Sequence, residues 1–266
     1  MYATNYHRAS STDEALKLLK AADDGKLISG GQTLIPTMKQ RLAAPTDLVD
    51  LRHIKSIKGI KVEGSKVTIG AATTHAEVAS SNELRKVCPA ICDLASHIGD
   101  PHVRHMGTIG GSVANNDPAA DYPAALLALD AEIVTTKRSI SADKYFTGLF
   151  ETALDDDEII TAIKFVAPAK AAYSKFPNPA SRYAMAGVFV AKLKDGSVRV
   201  GVTGAGDSGV FRHQGMEAAL TKDFSAKAIA SIKVDAKNLL SDIHGDANYR
   251  TNLVTVMAKR AVMAAG

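Results

Sequence analysis

Two stretches carry paired glycines behind apolar residues: KLISGGQTLIP, with Gly30 and Gly31, and GTIGGSVANNDPAADYP, with Gly110 and Gly111. A backbone can approach a phosphate closely and aim several N–H groups at it only where side chains are absent and positive φ is open, which glycine allows. Gln32 and Thr33 add an amide and a hydroxyl to the first pair, and Thr108 and Ser112 add hydroxyls to the second. Donors without fixed charge suit a pyrophosphate held mainly by backbone, as in dinucleotides. The same residues also suit two tight turns after core strands, and either pair alone leaves both readings open.

Three other groups could do chemistry. Gly204 to Gly209 spells G-x-G-x-x-G after the strand-like VRVGVT, the fingerprint of a nicotinamide-dinucleotide turn. Little chain is left for the rest of such a domain, and the acid expected about twenty residues on would be Asp223, behind a helical stretch rather than a strand. His97, His102 and His105 crowd around Asp100, but their spacing fits no standard metal motif, and Pro101 is expected to break any helix that would align them. Cys88 and Cys92 lie in a buried-helix pattern; two thiolates fall short of the about four that an iron–sulfur cluster takes.

The elements that must position these residues alternate. Ser11-Thr12-Asp13-Glu14 reads as a capping box opening a helix with Ala15, Leu16, Leu19 and Ala22 on its apolar face. The strand KLIS then meets the first diglycine; TDLVDL is another strand, and IKGIKVEGSKVTIG reads as a hairpin turning at Glu63-Gly64-Ser65. Glu83 to Ile98 has helical period, and after the second diglycine Asp117 and Pro118 are placed to cap and open a helix leading to the strand AEIVTT. IITAIKFVAP is a strand ending at Pro168; beyond it comes a hairpin around Asp195-Gly196, then a helical tail with Tyr249, Leu253, Val256, Met257 and Ala261 on its apolar face. With 266 residues, 46% of them apolar and 23% charged, and a net charge of +4 scattered along the chain, a globular protein is expected and a nucleic-acid stripe is not. The start lacks a signal-peptide pattern and no run approaches a membrane span, so a cytoplasmic location is expected, at most associated with the inner face of the membrane.

Taken together, KLISGGQTLIP, HMGTIGGSVANNDPAADYPAALLALDAEI, DEIITAIKF and ASRYAMAGVFVA resemble, in order and spacing, the flavoprotein subunit of the molybdenum hydroxylase (xanthine dehydrogenase) family, nearest its carbon monoxide dehydrogenase branch. The resemblance implies an α+β flavin-binding fold of the vanillyl-alcohol oxidase type, with two α/β subdomains over residues 1–56 and 57–168, and a small C-terminal α/β domain over 169–266. It implies noncovalent FAD, with a first pyrophosphate loop of Leu27, Ile28, Ser29, Gly30, Gly31, Gln32, Thr33 and Leu34. A second loop comprises Thr108, Ile109, Gly110, Gly111 and Ser112, with Ala114. Asp121 is placed on the adenosine side; Ile98, Ile159 and Ile160 are placed at the flavin, and Tyr183 over its ring.

The same resemblance implies an oxidoreductase subunit with no catalytic acid, base or metal ligand of its own. It would take electrons from iron–sulfur clusters of a small partner subunit, while a large molybdenum-pterin subunit oxidises the substrate, in a dimer of heterotrimers. An aldehyde or N-heterocycle dehydrogenase flavoprotein is the nearest alternative, and an NAD-dependent reductase through Gly204–Gly209 a remoter one. Gln32 stands where many relatives have histidine, which keeps a hydrogen-bonding side chain; Met185 stands where xanthine dehydrogenases place a lysine near the flavin, which argues against NAD as acceptor. On this reading Gly110→Val is expected to lose FAD with the fold retained, checked by flavin content against a thermal melt.

Overall fold

A computed structural model describes residues 1–266 and arranges them around three main sheets, each drawn from a successive stretch of chain. β1 (Asn5–Arg8), α1 (Thr12–Ala21), β2 (Gly25–Ile28), α2 (Leu34–Lys39) and β3 (Asp47–Asp50) make a parallel sheet in the order β1-β3-β2. Ser11 caps α1 by accepting from the Glu14 N–H, and Ala15 packs under it against Val49 and Ile54. The strands are only four residues long, so this sheet leans on its neighbour for burial.

The second sheet opens with the expected hairpin of β4 (Ile60–Glu63) and β5 (Lys66–Gly70). Six short helices follow: α3 (His75–Ser80), α4 (Asn82–Val87), α5 (Pro89–Ser96), α6 (Pro101–Met106), α7 (Ile109–Asn115) and α8 (Tyr122–Ala128). The chain returns through β6 (Glu132–Thr135), β7 (Ser139–Ser141), α9 (Ala142–Tyr145), a small hairpin of β8 (Phe146–Gly148) and β9 (Glu151–Thr152), and β10 (Ile160–Val166). The order is β4-β5-β10-β6-β7, antiparallel throughout.

The continuous helix expected over 83–98 is two helices. Pro89 opens α5, and Cys88 before it takes φ −150°, ψ 73°, outside the helical region, as the ring of a following proline demands. Pro101 likewise opens α6 rather than breaking a helix, with the Asp100 carboxylate accepting from the Val103 N–H. Asp117 caps a turn, accepting from the Ala119 N–H, and α8 begins only at Tyr122, with Pro123 in its first turn.

The third sheet is β11 (Lys170–Pro177), β12 (Ala184–Lys192), β13 (Val198–Thr203) and β14 (Phe211–Arg212), paired in that order and antiparallel, followed by α10 (Gln214–Lys222) and α11 (Ala247–Ala265). β12 is buried on both faces: Phe189 and Ala191 join the core beneath α8, while Val188 and Val190 join the core beneath α11. The buried face of α11 is Arg250, Leu253, Val254, Met257, Ala258, Ala261 and Val262, whereas Tyr249 from the expected stripe is exposed. No helix is long and apolar enough to cross a membrane.

An antiparallel sheet leaves no βαβ unit for the G-x-G-x-x-G match. Gly204 is glycine for another reason: it sits at φ 78°, where a Cβ would overlap the Ala184 carbonyl oxygen of β12. Arg250 locks the same region, its Nη1 donating to the carbonyls of Met185 at 2.7 Å and Gly204 at 2.9 Å while Nη2 pairs with Asp242 at 2.7 Å. Arg250→Met should lower unfolding free energy by about 3 kcal/mol, read from urea midpoints, because two buried carbonyls and a carboxylate lose their donor.

Candidate functional site

The first glycine loop leaves the end of β2, where the Leu51 N–H takes the Ile28 carbonyl at 2.9 Å and completes the parallel pairing. The chain then turns with Gly31 at φ 70° into α2. None of the backbone N–H groups of Ser29, Gly30, Gly31, Gln32, Thr33 or Leu34 has a partner within the chain. Gln32 and Thr33 are exposed and the other four residues half-buried, so six consecutive donors stand open to water or to acceptors from outside the chain. The Gln32 side-chain amide spends one of its two N–H donors on the Gly30 carbonyl, at 3.3 Å.

The second diglycine is built differently from its expected strand-to-turn form. No strand precedes it; α6 ends at Met106, Thr108 caps α7, and Gly110 and Gly111 lie in the first turn of that helix. The Ile109 and Gly110 N–H groups donate to the carbonyls of Thr73 at 3.1 Å and Ala71 at 2.8 Å, and the Gly111 N–H to Thr108 Oγ1 at 3.1 Å. Those amides are already spent within the protein. What this segment offers to the outside is the hydroxyl chemistry of Thr108 and Ser112 and the bare surface of Gly111.

The two segments touch. A Cβ on Gly30 would overlap the Met106 carbonyl oxygen and lie 2.6 Å from Gly107 Cα, and Ser29 Oγ meets Thr108 Oγ1 at 2.9 Å. A Cβ on Gly110 would lie 2.6 Å from Ala71 Cβ and 2.7 Å from its carbonyl oxygen. Gly111, by contrast, has only its own cap Thr108 Oγ1 within 3.0 Å and Ser29 Cβ at 3.9 Å. Gly30 and Gly110 are thus glycines of close packing, and Gly111 is the one that keeps space open.

Between the segments lies a cavity of about 740 Å³, within the size range of small-molecule and cofactor sites. The structure brings to it Leu27 through Leu34, Ile98, Thr108, Gly110, Gly111, Ser112, Ala114, Asp121, Ile159, Ile160 and Tyr183. Ile109 is the exception: its side chain is fully buried in the core beneath α7, because a helix starting at Thr108 turns this position inward. Met185 does not reach the cavity either; it packs in the core under α11, which removes the structural basis for reading the electron acceptor from that position.

The charges around the cavity are mostly paired or suppressed. Burial, helped by the nearby Arg104 charge, lowers His75 to about 4, so its ring is neutral at neutral pH; its Nδ1 is buried without a partner. Burial pushes Glu158 up, but hydrogen bonds from Arg138 and Thr135 outweigh it and hold the carboxyl at about 2. Burial raises Asp117, and it raises the phenol of Tyr183, assisted by the Asp117 and Asp121 carboxylates. Tyr183 is 47% exposed at the cavity's edge, beside Arg182 at φ 62°, in a loop pinned by Asn178 Oδ1 accepting from the Ala180 and Ser181 N–H groups. A mouth with apolar walls, unpaired N–H donors on one side and an aromatic ring on another suits a flat ring system carrying a phosphate ester.

Residues 2–167 match the family described as the FAD binding domain in molybdopterin dehydrogenase, which is more than half of the chain. The protein belongs to this family. It is 34% identical to the carbon monoxide dehydrogenase medium chain of Hydrogenophaga pseudoflava over 98% of this chain and 96% of that one. It is 35% identical to the nicotine 6-hydroxylase medium subunit of Paenarthrobacter nicotinovorans over 99% of this chain and 98% of that one. Among solved structures it superposes, with a TM-score of 0.87 and 33% identity, on carbon monoxide dehydrogenase from Hydrogenophaga pseudoflava lacking the Mo-pyranopterin moiety, covering 98% of this chain and 96% of that one. Quinoline 2-oxidoreductase from Pseudomonas putida 86 gives a TM-score of 0.88 at 25% identity, covering 99% and 96%. The FAD-binding family and the cavity's donors agree: six free N–H groups fit a pyrophosphate, and the apolar wall fits an isoalloxazine ring.

Several lining residues escaped the sequence reading, among them His75, Asp117 and Glu158 of the matched domain and Arg182 beyond it. His75 had a local signal, since it is the first residue of a helix opened by the Thr74–Glu77 capping box. The others are placed by long-range packing alone. Two outcomes follow from the geometry. Gly110→Val should melt well below wild type, correcting the expectation of an intact fold, whereas Gly111→Val should keep its melting temperature without FAD and lose FAD affinity. Because the folded state refuses a proton that free histidine accepts near 6.5, stability should fall as pH drops from about 6.5 through about 4, by at most about 3 kcal/mol, and His75→Phe should flatten that window in urea titrations.

Proposed function

We propose that this chain is the FAD-carrying medium subunit of a heterotrimeric molybdenum hydroxylase, of the kind represented by carbon monoxide dehydrogenase. It takes electrons from iron–sulfur clusters of a small subunit and delivers them to an external acceptor, while a large molybdenum-pterin subunit oxidises the substrate; two such heterotrimers pair. The observation that carries this reading is the run of six unpaired N–H groups at Ser29–Leu34, at a cavity walled by apolar side chains, in a chain of the FAD-binding molybdopterin dehydrogenase family.

The residues divide the work. The N–H groups of Ser29 to Leu34 and the hydroxyls of Thr108 and Ser112 hold the pyrophosphate of FAD, and Gly111 and Ala114 leave it room. Ile98, Ile159 and Ile160 wall the flavin side and shed water from it, Tyr183 covers the ring, and Asp121 stands on the adenosine side. FAD supplies the redox chemistry; the protein orients it and sets its surroundings. The neutral donors hold a dianion without adding fixed charge beside a redox group. Residues 1–56 and 57–168 serve as the two subdomains of a vanillyl-alcohol oxidase-type fold, with 169–266 as a third unit; the change of sheet near Pro168 supports that division.

Relatives of nearly equal identity are named for carbon monoxide, nicotine and glyceraldehyde, so a flavoprotein of this type serves several substrates. Purified protein should be yellow, with one FAD released on denaturation, and the apoprotein should quench added FAD fluorescence on binding. In the assembled complex, flavin absorbance should bleach on stopped-flow mixing with substrate, with carbon monoxide, an aldehyde and an N-heterocycle tried in turn. A colourless, folded protein that does not take up FAD would overturn the reading.

A further inference from the structure

Lys175 lies on β11, outside the two sheets that carry the glycine loops, and its side chain is only 6% exposed. Its Nζ stands 2.9 Å from Asp121 Oδ1 and 3.0 Å from Oδ2, and donates to the His97 carbonyl at 3.2 Å. Tyr173, on the same face of β11, donates its hydroxyl to Asp121 Oδ1 at 2.5 Å. Asp121 holds the N-cap place of α8 yet makes no capping bond, so its carboxylate is given over to β11. Both anchored points border the cavity: Asp121 lines it directly, and the His97 carbonyl immediately precedes Ile98 and Gly99, which line it too.

We infer that Lys175 is a positioning residue of the FAD site: it makes Asp121 half of a neutral pair in the cavity wall and fixes the Ile98–Gly99 segment, so that a pyrophosphate meets no uncompensated negative charge. The inference rests on the FAD reading above. A carboxylate buried without its counter-charge would repel a dianion through a medium that screens poorly. The groups facing Asp121 are few: Lys175 and Tyr173 from β11, His97 at the end of α5, Asp117 and Tyr122 from its own segment, and Tyr183 from the loop between β11 and β12. Lys175 is the only one that makes a close ion pair with it.

The test compares full-length wild type, Lys175→Met, Lys175→Arg and the double variant Lys175→Met/Asp121→Asn, measuring FAD dissociation constants at about pH 6 and pH 8 beside apoprotein melting temperatures. Lys175→Met should weaken FAD about tenfold or more at the higher pH and much less at the lower, where the unpaired carboxyl takes up a proton. Lys175→Arg should recover most of the affinity, and the double variant, which carries no charge at either position, should show no pH dependence and bind more tightly at high pH than Lys175→Met. Equal loss at both pH values, or a double variant no better than the single, would overturn the inference and leave Lys175 a structural residue. If Lys175→Met does not fold, the double variant decides, since its failure to bind FAD while folded has the same meaning. Wild type that does not bind FAD removes the FAD reading itself, which is a separate result.

Discussion

Everything at the site depends on how closely two backbones can pass. The segment that leaves β2 and the segment that leaves α6 meet at Gly30 and Met106–Gly107, and the second is in turn pressed onto the end of β5 at Gly110 and Ala71. Neither approach leaves room for a Cβ. With both contacts made, the first parallel sheet and the second, antiparallel sheet are locked at one spacing, and the cavity is the gap that remains. Interiors packed to solid-like density do not adjust such a gap freely, so its shape is set by these contacts rather than by the lining side chains.

The two diglycines, alike in sequence, do opposite work. In the first, the turn at Gly31 leaves six amides without partners; in the second, hydrogen bonds to Ala71 and Thr73 consume the amides and anchor a helix. The asymmetry has a physical source. A segment lying beside a strand end finds carbonyls to satisfy its N–H groups, while one leaving the edge of a short parallel sheet does not. Around this donor array the protein disposes of its charges in pairs or by burial: Glu158 with Arg138, Asp121 with Lys175, and His75 by desolvation. The outcome is a cavity whose attraction for an anion is dipolar, which suits an FAD-binding family.

Much of this was legible in the residues. The hairpins at Glu63-Gly64-Ser65 and Asp195-Gly196, the helix opened by Ser11 and the strands on either side of the helical region follow from turn chemistry and periodicity, which act over a few residues. The long motif after Gly107 pointed to the FAD-binding family, and the cavity gathers all but one of the residues placed there by resemblance. The errors share a cause. Ile109 was placed at the cofactor, Gly110 was treated as open surface and Met185 as a flavin neighbour, and each depends on which way a position faces once a distant segment packs on it. The G-x-G-x-x-G run at Gly204, discounted on its position in the chain, owes its first glycine to the carbonyl of Ala184 across the sheet.

Sequence by itself determined the family, most of the hairpins and helix starts, and the two glycine segments that border the cavity, because glycines, prolines and caps act locally. Tertiary structure decided which amides are free, which glycine is open and which charges are matched. Lys175 shows the division most plainly. It is fifty-four residues from Asp121, and nothing in either neighbourhood names the other. Only the packing of β11 against α5 and the start of α8 brings the ammonium to the carboxylate, and burial then makes that single contact matter.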